Sequence, residues 1–103
     1  MKGPSIYAEY WTSPNSEADH YKRHASEFGY TKITEYSKAA IKFKDSDKRG
    51  LFKFRSKNNS VTMFNRKTGQ FIVISENGKI ITYYKATESH FWNKLEENSG
   101  ILY

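Results

Sequence analysis

The 103 residues are enough for one small domain with a single compact core. The chain has no cysteine, which excludes a disulfide framework and a thiolate zinc site. No apolar run approaches the length of a membrane span, and the N-terminus lacks the apolar segment of a signal peptide. A net charge of +6 fits either a merely soluble basic surface or a polyanionic partner. Aromatic residues interleaved with Lys and Arg favour RNA or single strands as that partner.

The N-terminal part of the sequence predicts an arm followed by two short helices. Residues 1–12 show no clear periodicity and are assigned to the arm. Residues 13–16 have the composition of a helix start, and Gly29 stands where a glycine that ends a helix belongs. The predicted apolar stripe of this helix is Ala18, Tyr21, Ala25 and Phe28. A second helix is predicted over residues 34–43, with Tyr36, Ala39, Ala40 and Phe43 buried. The helical part as a whole covers residues 13–45.

Residues 51–85 predict a sheet. Four β-favourable runs, at 51–56, 61–65, 71–75 and 80–85, are joined by short turns and indicate an antiparallel meander. The Asn77-Gly78 pair is a strong hairpin signal because both residues tolerate positive φ. In the first run, Phe52 and Phe54 alternate with Lys53 and Arg55. We expect the phenylalanines to face the two helices and the cations to face solvent on the open side of the sheet.

A third helix is predicted over residues 87–98. The order of elements therefore predicts an α+β domain, spanning residues 1–103, with two N-terminal helices packed on a four-stranded antiparallel meander and a short C-terminal helix. On the last strand, alternation puts Thr82 and Tyr84 on one face and Tyr83 on the other. Either face could be the open one, because a shift of one residue would exchange them.

The histidines are the best candidates for acid–base chemistry. His20 and His24 are four residues apart and share one side of the first helix. This spacing also suits metal ligation, but no third ligand is placed nearby, so no metal site is predicted. His24 lies at the edge of the apolar stripe, where a general base could reach the sheet. His20 lies further toward solvent, and His90 is predicted to be a surface or seam residue.

Four segments resemble a known family. They are residues 20–28 (HYKRHASEF), Tyr36 with Ala39 or Ala40 and Phe43, residues 64–73 (FNRKTGQFIV), and residues 77–85 (NGKIITYYK). Over residues 19–85 the sequence resembles the C-terminal toxin domains of bacterial polymorphic and contact-dependent inhibition toxins with the barnase/EndoU/colicin/RelE-like ribonuclease fold. Ala25 and Ala86 depart from the glycine and proline common in that pattern, and the third predicted helix lies outside it.

The resemblance implies a function and partners. Such a domain is a metal-independent endoribonuclease without a cofactor, often directed at tRNA. It is neutralised by a cognate immunity protein, expected to be acidic. It is secreted or delivered from the cell surface as part of a larger bacterial toxin, and it acts in the cytoplasm of the target cell.

The resemblance also implies site residues. It makes His24 the helix histidine, Thr82 the last-strand threonine, and Arg55 or Lys53 the basic position of the first strand. RNA carries its own nucleophile, the 2′-OH, so the enzyme needs only a base, cations for the phosphate and a group that holds the nucleotide. We predict His24 as general base or acid and Arg55 with Lys53 as stabilisers of the phosphate. Thr82 is predicted to hydrogen-bond the phosphate or to orient the histidine, and Tyr84 to stack on or position the substrate. The predicted substrate contacts are His20, Lys53, Asn65 and Lys85.

Two other functions fit the same sequence. A non-catalytic RNA-binding domain would use the same basic and aromatic sheet without needing His24. A protein-interaction module would dock an acidic partner on Trp11, Trp92 and the basic face.

Overall fold

The computed structural model describes residues 6–46 and 49–103, which form an α+β fold. The helices are α1 (Pro14–His24), α2 (Ile33–Lys44) and α3 (Glu88–Glu97). The strands are β1 (Phe52–Arg55), β2 (Val61–Phe64), β3 (Gln70–Ile74), β4 (Ile80–Lys85) and β5 (Ile101–Leu102). Short 3₁₀ turns cover Ala8–Tyr10 and Ala25–Phe28. The predicted fold class is confirmed, with β5 as an additional strand. Residues 1–5 of the predicted arm lie outside the described residues.

The five strands form one antiparallel sheet in the order β4-β3-β2-β1-β5. The predicted meander is therefore confirmed for β1 to β4, and Gly78 turns the last hairpin at φ +85°. The longest helix, α2, has 12 residues. No helix in the described part of the chain has the length and apolar character of a membrane span.

One face of the sheet packs against α1 and α2. Met63, Ile72 and Tyr83 are buried there against Tyr36 and Phe43 of α2. We call this layer the helical core. The predicted stripe of α1 is confirmed at Ala25, which is buried, and is wrong at Ala18, which is exposed. The buried position on the first turns of α1 belongs instead to Glu17, whose carboxylate accepts a hydrogen bond from the hydroxyl of Ser37.

The other face of the sheet packs against α3. Its buried side chains are four phenylalanines, Phe54, Phe64, Phe71 and Phe91, which we call the phenylalanine core. The expectation that Phe52 and Phe54 face the N-terminal helices is therefore wrong, because both rings contact Phe91 of α3, at 5.7 and 5.3 Å between ring centroids. This face is open to solvent only where α3 does not cover it.

The outer edge of β4 is covered by the segment that contains α1. The Thr12 N–H donates to the carbonyl of Ile80 at 3.0 Å. Further along the strand, the Lys85 N–H donates to Oε1 of Glu27 at 2.9 Å. Because an unpaired strand edge can associate with another chain, these contacts protect the sheet. They also bring the end of α1 beside the C-terminal half of β4.

Gly100 allows β5 to reach β1. A Cβ atom at this position would lie 2.9 Å from Cγ of Phe54 and closer still to Cδ1, inside the phenylalanine core. We expect Gly100→Ala to lower the free energy of unfolding by about 1–3 kcal/mol, because the core must shift to accept the methyl group. Urea denaturation followed by fluorescence measures this loss.

The neighbouring residue provides the control for that measurement. Ser99 adopts φ +51°, which glycine tolerates better than serine, so Ser99→Gly should keep or raise the stability. A Gly100→Ala protein that unfolds at the wild-type urea concentration would contradict the close packing of β5.

Candidate functional site

All three histidines of the sequence lie in one cluster with Tyr84. The ring centroids of His20 and His24 are 5.9 Å apart, those of His24 and Tyr84 are 5.0 Å apart, and those of Tyr84 and His90 are 5.4 Å apart. These residues come from α1, β4 and α3, so the cluster exists only when all three elements are in place. We call His20, His24, Tyr84 and His90 the histidine cluster.

A carboxylate orients His24. The helical conformation of α1 ends at His24 and continues as a 3₁₀ turn, which puts Glu27 three residues on within reach of the imidazole. Nδ1 of His24 is 3.0 Å from Oε2 of Glu27, and the other oxygen of Glu27 is held by the Lys85 N–H. A carboxylate at Nδ1 favours the tautomer with the proton on Nδ1, which leaves the lone pair of Nε2 available as a base. The His24 side chain keeps about 19% of its surface exposed.

Tyr84 and His90 form a second polar pair. The Tyr84 hydroxyl is 2.6 Å from Nε2 of His90. Burial, with the carboxylates of Glu27 and Glu97 adding to it, raises the pKa of Tyr84 to about 12, so the hydroxyl keeps its proton at neutral pH and donates it to His90. Burial and the nearby Lys94 ammonium lower the pKa of His90, which favours the neutral acceptor form.

A cleft begins at Tyr84 and runs between α3 and the open part of the sheet. Its volume is about 270 Å³. Thr82 and Tyr84 lie on the same face of β4, about 7 Å apart along the strand. The lining combines polar and apolar groups: the polar residues are Ser56, Asn58, Ser60, Thr62, Thr82, Lys94 and Asn98, and the apolar ones are Phe71, Val73 and Ile81. The cleft therefore offers hydrogen-bonding groups and one cation next to the histidine cluster.

The structure brings together some of the predicted site residues. Thr82 and Tyr84 line the cleft, and the ring of His24 contacts that of Tyr84. Lys85 follows Tyr84 on β4, with its side chain on the other face of the strand. His20 lies beside His24, where it also stacks on Trp11 with 5.6 Å between ring centroids.

Arg55 and Lys53 are not part of this group. Their neighbours across β2 are Val61 and Met63, whose side chains belong to the layer of the helical core. Thr82 and Tyr84 lie on the opposite face, in the rows that contain Phe54 and Phe52 of β1. Three strand spacings, about 14 Å, also separate β1 from β4. The two cations therefore cannot act together with Thr82 on one phosphate, as the sequence predicted.

Asn65 is not part of the candidate site either, and it has a structural role. Its Oδ1 accepts hydrogen bonds from the backbone N–H groups of Lys67 and Thr68, at 2.9 and 3.3 Å, and so stabilises the β2–β3 turn. It lines a depression on the α2 side of the sheet together with Tyr30 and Lys42.

Sequence reasoning missed four residues of the site: Glu27, His90, Lys94 and Asn98. Glu27 had a usable signal, because a carboxylate three residues after a histidine shares its side of a helix. His90 and Lys94 are four residues apart and also share a side of α3. No sequence signal indicated that this side of α3 faces Tyr84, since that depends on which face of the sheet α3 covers.

No group of three His, Asp or Glu side chains suited to a metal ion occurs within residues 6–46 and 49–103. No protein-family model matches the chain, and no curated protein matches it. The assignment of a function therefore depends on the geometry of the histidine cluster and the cleft.

The burial of His20 makes the stability of the fold depend on pH. Burial is the main cause that lowers the pKa of His20 below its ordinary 6.5, with the positive charge of Arg23 adding to it. The unfolded chain therefore binds this proton more readily than the folded one. The contribution of His20 to the free energy of unfolding is fully present above the pKa that this histidine has in the unfolded chain. It is lost as the pH falls through 6.5 toward the lower pKa of His20 in the folded protein.

We expect the free energy of unfolding to fall between about pH 7.5 and pH 5.5, and to fall less in His20→Asn. Asparagine cannot titrate, yet its amide can donate to the carbonyl of Ser16, which Nδ1 of His20 contacts at 2.8 Å. Urea denaturation at each pH measures the slope. Equal slopes for the two proteins would show that His20 is not held in its neutral form.

Proposed function

We propose that the domain is a metal-independent endoribonuclease that cleaves RNA by attack of the 2′-OH, with the histidine cluster and the cleft as its active site. One observation carries the proposal: a histidine oriented by a carboxylate lies beside a hydrogen-bonded tyrosine–histidine pair, at a cleft that carries hydrogen-bonding groups and a cation. The resemblance to bacterial toxin ribonucleases favours the same activity, with tRNA as the substrate and an acidic immunity protein as the inhibitor.

His24 is the general base of the proposed reaction. Its Nε2 takes the proton from the 2′-OH while the 2′ oxygen forms a bond to the adjacent phosphorus. Glu27 holds the imidazole in the required tautomer and stabilises the imidazolium that forms, because its Oε2 remains at Nδ1 throughout. The fixed position of this carboxylate, set by the Lys85 N–H, reduces the reorganisation that the step requires.

The Tyr84 hydroxyl is the general acid. The bond between phosphorus and the 5′ oxygen breaks, and the leaving oxygen takes the proton of Tyr84. Before the reaction this hydroxyl donates to Nε2 of His90 at 2.6 Å; during the reaction it turns its proton toward the leaving oxygen, and the tyrosinate then regains a proton from water. The products are a 2′,3′-cyclic phosphate and a free 5′-OH. Lys94, which lines the cleft, is the cation that would stabilise the developing phosphorane charge.

The cleft holds the nucleotide that is cut. Tyr84 supplies aromatic surface, and Thr82 and Asn98 supply hydrogen-bonding groups. A base can enter such a cleft only when it is unstacked from its neighbours, so loops and single-stranded segments of RNA are the expected targets.

The rival functions have less support. A non-catalytic RNA-binding domain accounts for the charge and the cleft, but it has no need for a carboxylate that orients His24. The protein-interaction hypothesis relied on two tryptophans. Trp11 is 2% exposed and packs between His20 and Tyr36, so it cannot dock a partner, and Trp92 alone is exposed.

Cleavage of tRNA in the presence of EDTA tests the proposed activity. Wild-type protein should release fragments that end in a 2′,3′-cyclic phosphate. His24→Ala should slow cleavage by about 10²–10⁴-fold because the base is lost, and Tyr84→Phe should slow it by a similar factor because the acid is lost while the ring packing is kept. Lys38→Ala, on the exposed side of α2, is the control and should cleave at the wild-type rate. Intact RNA with the wild-type protein, or wild-type rates in both site variants, would exclude the nuclease.

Glu27→Gln tests the orienting role of the carboxylate. The glutamine oxygen can still accept from the Lys85 N–H, which turns the amide NH₂ toward Nδ1 of His24 and forces the proton onto Nε2. We expect kcat to fall by at least about 100-fold with little change in KM, because the base is in the wrong tautomer. Nitrogen-15 shifts of His24 report the tautomer directly. A purely structural role would instead lower the stability and leave the tautomer unchanged.

A further inference from the structure

A second basic and aromatic surface lies at the far edge of the sheet. Tyr103 follows β5, and the residue is 57% exposed. Nζ of Lys53 lies 4.6 Å from the centroid of the Tyr103 ring, and Cζ of Arg55 lies 5.5 Å from it. The Tyr103 N–H donates to the carbonyl of Lys53 at 3.3 Å, which fixes the ring beside the two cations. Together with Lys57 on the following turn, these residues form what we call the Tyr103 platform.

The positive charge of the platform is not compensated. Among the described residues, Lys53, Arg55 and Lys57 form no ion pair, whereas Arg23 pairs with Asp19 at 2.5 Å. Beside the platform is a depression of about 500 Å³, which includes Arg55, Lys57, Asn59 and Ile101 in its lining. Three cations next to an exposed ring and a depression match a ligand that carries both phosphates and flat bases.

The platform is continuous with the cleft of the active site. Ser56 lines both the cleft and the depression, and residues 57–60 form the β1–β2 turn between them. The cations of the platform lie on the opposite face of the sheet from Thr82 and Tyr84, so a strand that passes between the two sites goes around the β1–β2 turn, a path short enough for a few nucleotides of single-stranded RNA. A strand that leaves the cleft near Asn58 therefore arrives at Arg55 and Lys57.

We infer that the Tyr103 platform is a remote binding subsite for the single-stranded RNA substrate, in which one base stacks on Tyr103 and the backbone phosphates lie on Lys53, Arg55 and Lys57. The inference rests on the proposed function for the identity of the substrate. It gives Lys53 and Arg55 a role in RNA binding, although both are too far from the histidine cluster to take part in catalysis. An acidic protein would satisfy the charge but would leave the exposed ring and its continuity with the cleft unexplained.

The dependence of cleavage on substrate length tests this inference. A dinucleotide should reach only the cluster and the cleft, whereas an RNA of about 12 nucleotides should reach the platform as well. We expect Arg55→Ala/Lys57→Ala to raise KM for the long RNA at least about 10-fold, and to reduce the salt dependence of its binding by roughly 0.7 in slope per cation removed. Neither kcat nor the kinetics of the dinucleotide should change. Lys38→Ala/Lys42→Ala removes the same charge from α2 and should leave all three quantities unchanged.

Tyr103 variants separate stacking from charge. Tyr103→Ala should weaken binding of the long RNA by about 5- to 150-fold, and Tyr103→Phe, which keeps the aromatic face, should retain the wild-type affinity. Affinity is also measured with a 2′-deoxy oligonucleotide of the same length, which cannot be cleaved. This arm decides the inference even if no RNA is cut, an outcome that would overturn only the proposed nuclease.

The inference is overturned if the Arg55/Lys57 and Tyr103→Ala variants bind both oligonucleotides as tightly as the wild type does. It is also overturned if dinucleotide cleavage falls in parallel with that of the long RNA, since the effect would then lie in the active site. The first result would leave the platform as a surface for an acidic protein.

Discussion

The burial of Tyr83 fixes the register of β4, and this register determines the whole candidate site. Tyr83 is fully buried, its ring stacks on Phe28 with 4.9 Å between centroids, and its hydroxyl accepts a hydrogen bond from Gln70 at 2.9 Å. The hydroxyl of Tyr36 also donates to the backbone carbonyl of Tyr83. Because successive side chains alternate, Tyr83 in the helical core requires Thr82 and Tyr84 to emerge on the other face. A slip of one residue would bury Tyr84 under α2 and remove the central ring of the histidine cluster.

The contacts that protect the sheet edge are the same contacts that assemble the site. Glu27 accepts the Lys85 N–H at the outer edge of β4 and contacts His24 with its other oxygen. Loss of this carboxylate would therefore expose a backbone donor and release the imidazole at the same time. The orientation of the proposed base is consequently coupled to the packing of α1 on β4, and both are supported by the Thr12 and Ile80 hydrogen bond at the start of the strand.

The sequence predicted the elements well because their signals are local. The Asn77-Gly78 turn and the β-branched run after it place β4 at Ile80–Lys85, as predicted, and Thr87 caps α3 through the His90 N–H at 3.2 Å. The prediction that Phe52 and Phe54 face the N-terminal helices was wrong, because their alternation with cations is the same whichever helix covers them. The two-residue strand β5 has no periodicity to detect, and it forms only because β1 offers an unpaired edge.

The candidate site likewise contains residues that the sequence indicated and residues that it did not. His24, Thr82 and Tyr84 lie within residues 19–85, for which the sequence led us to expect a resemblance to toxin ribonucleases, and in the structure His24 and Thr82 both lie beside Tyr84. His90, Lys94 and Asn98 lie on α3, outside that segment, and no local signal relates them to Tyr84. Without α3, the face of β3 and β4 that carries Thr82 and Tyr84 would be a flat surface with a row of hydroxyl groups. The packing of Phe91 into the phenylalanine core turns that surface into a cleft, and it adds to Tyr84 the histidine that holds its hydroxyl. The helix that lies outside the recognisable pattern is thus the element that makes the proposed chemistry possible in this chain.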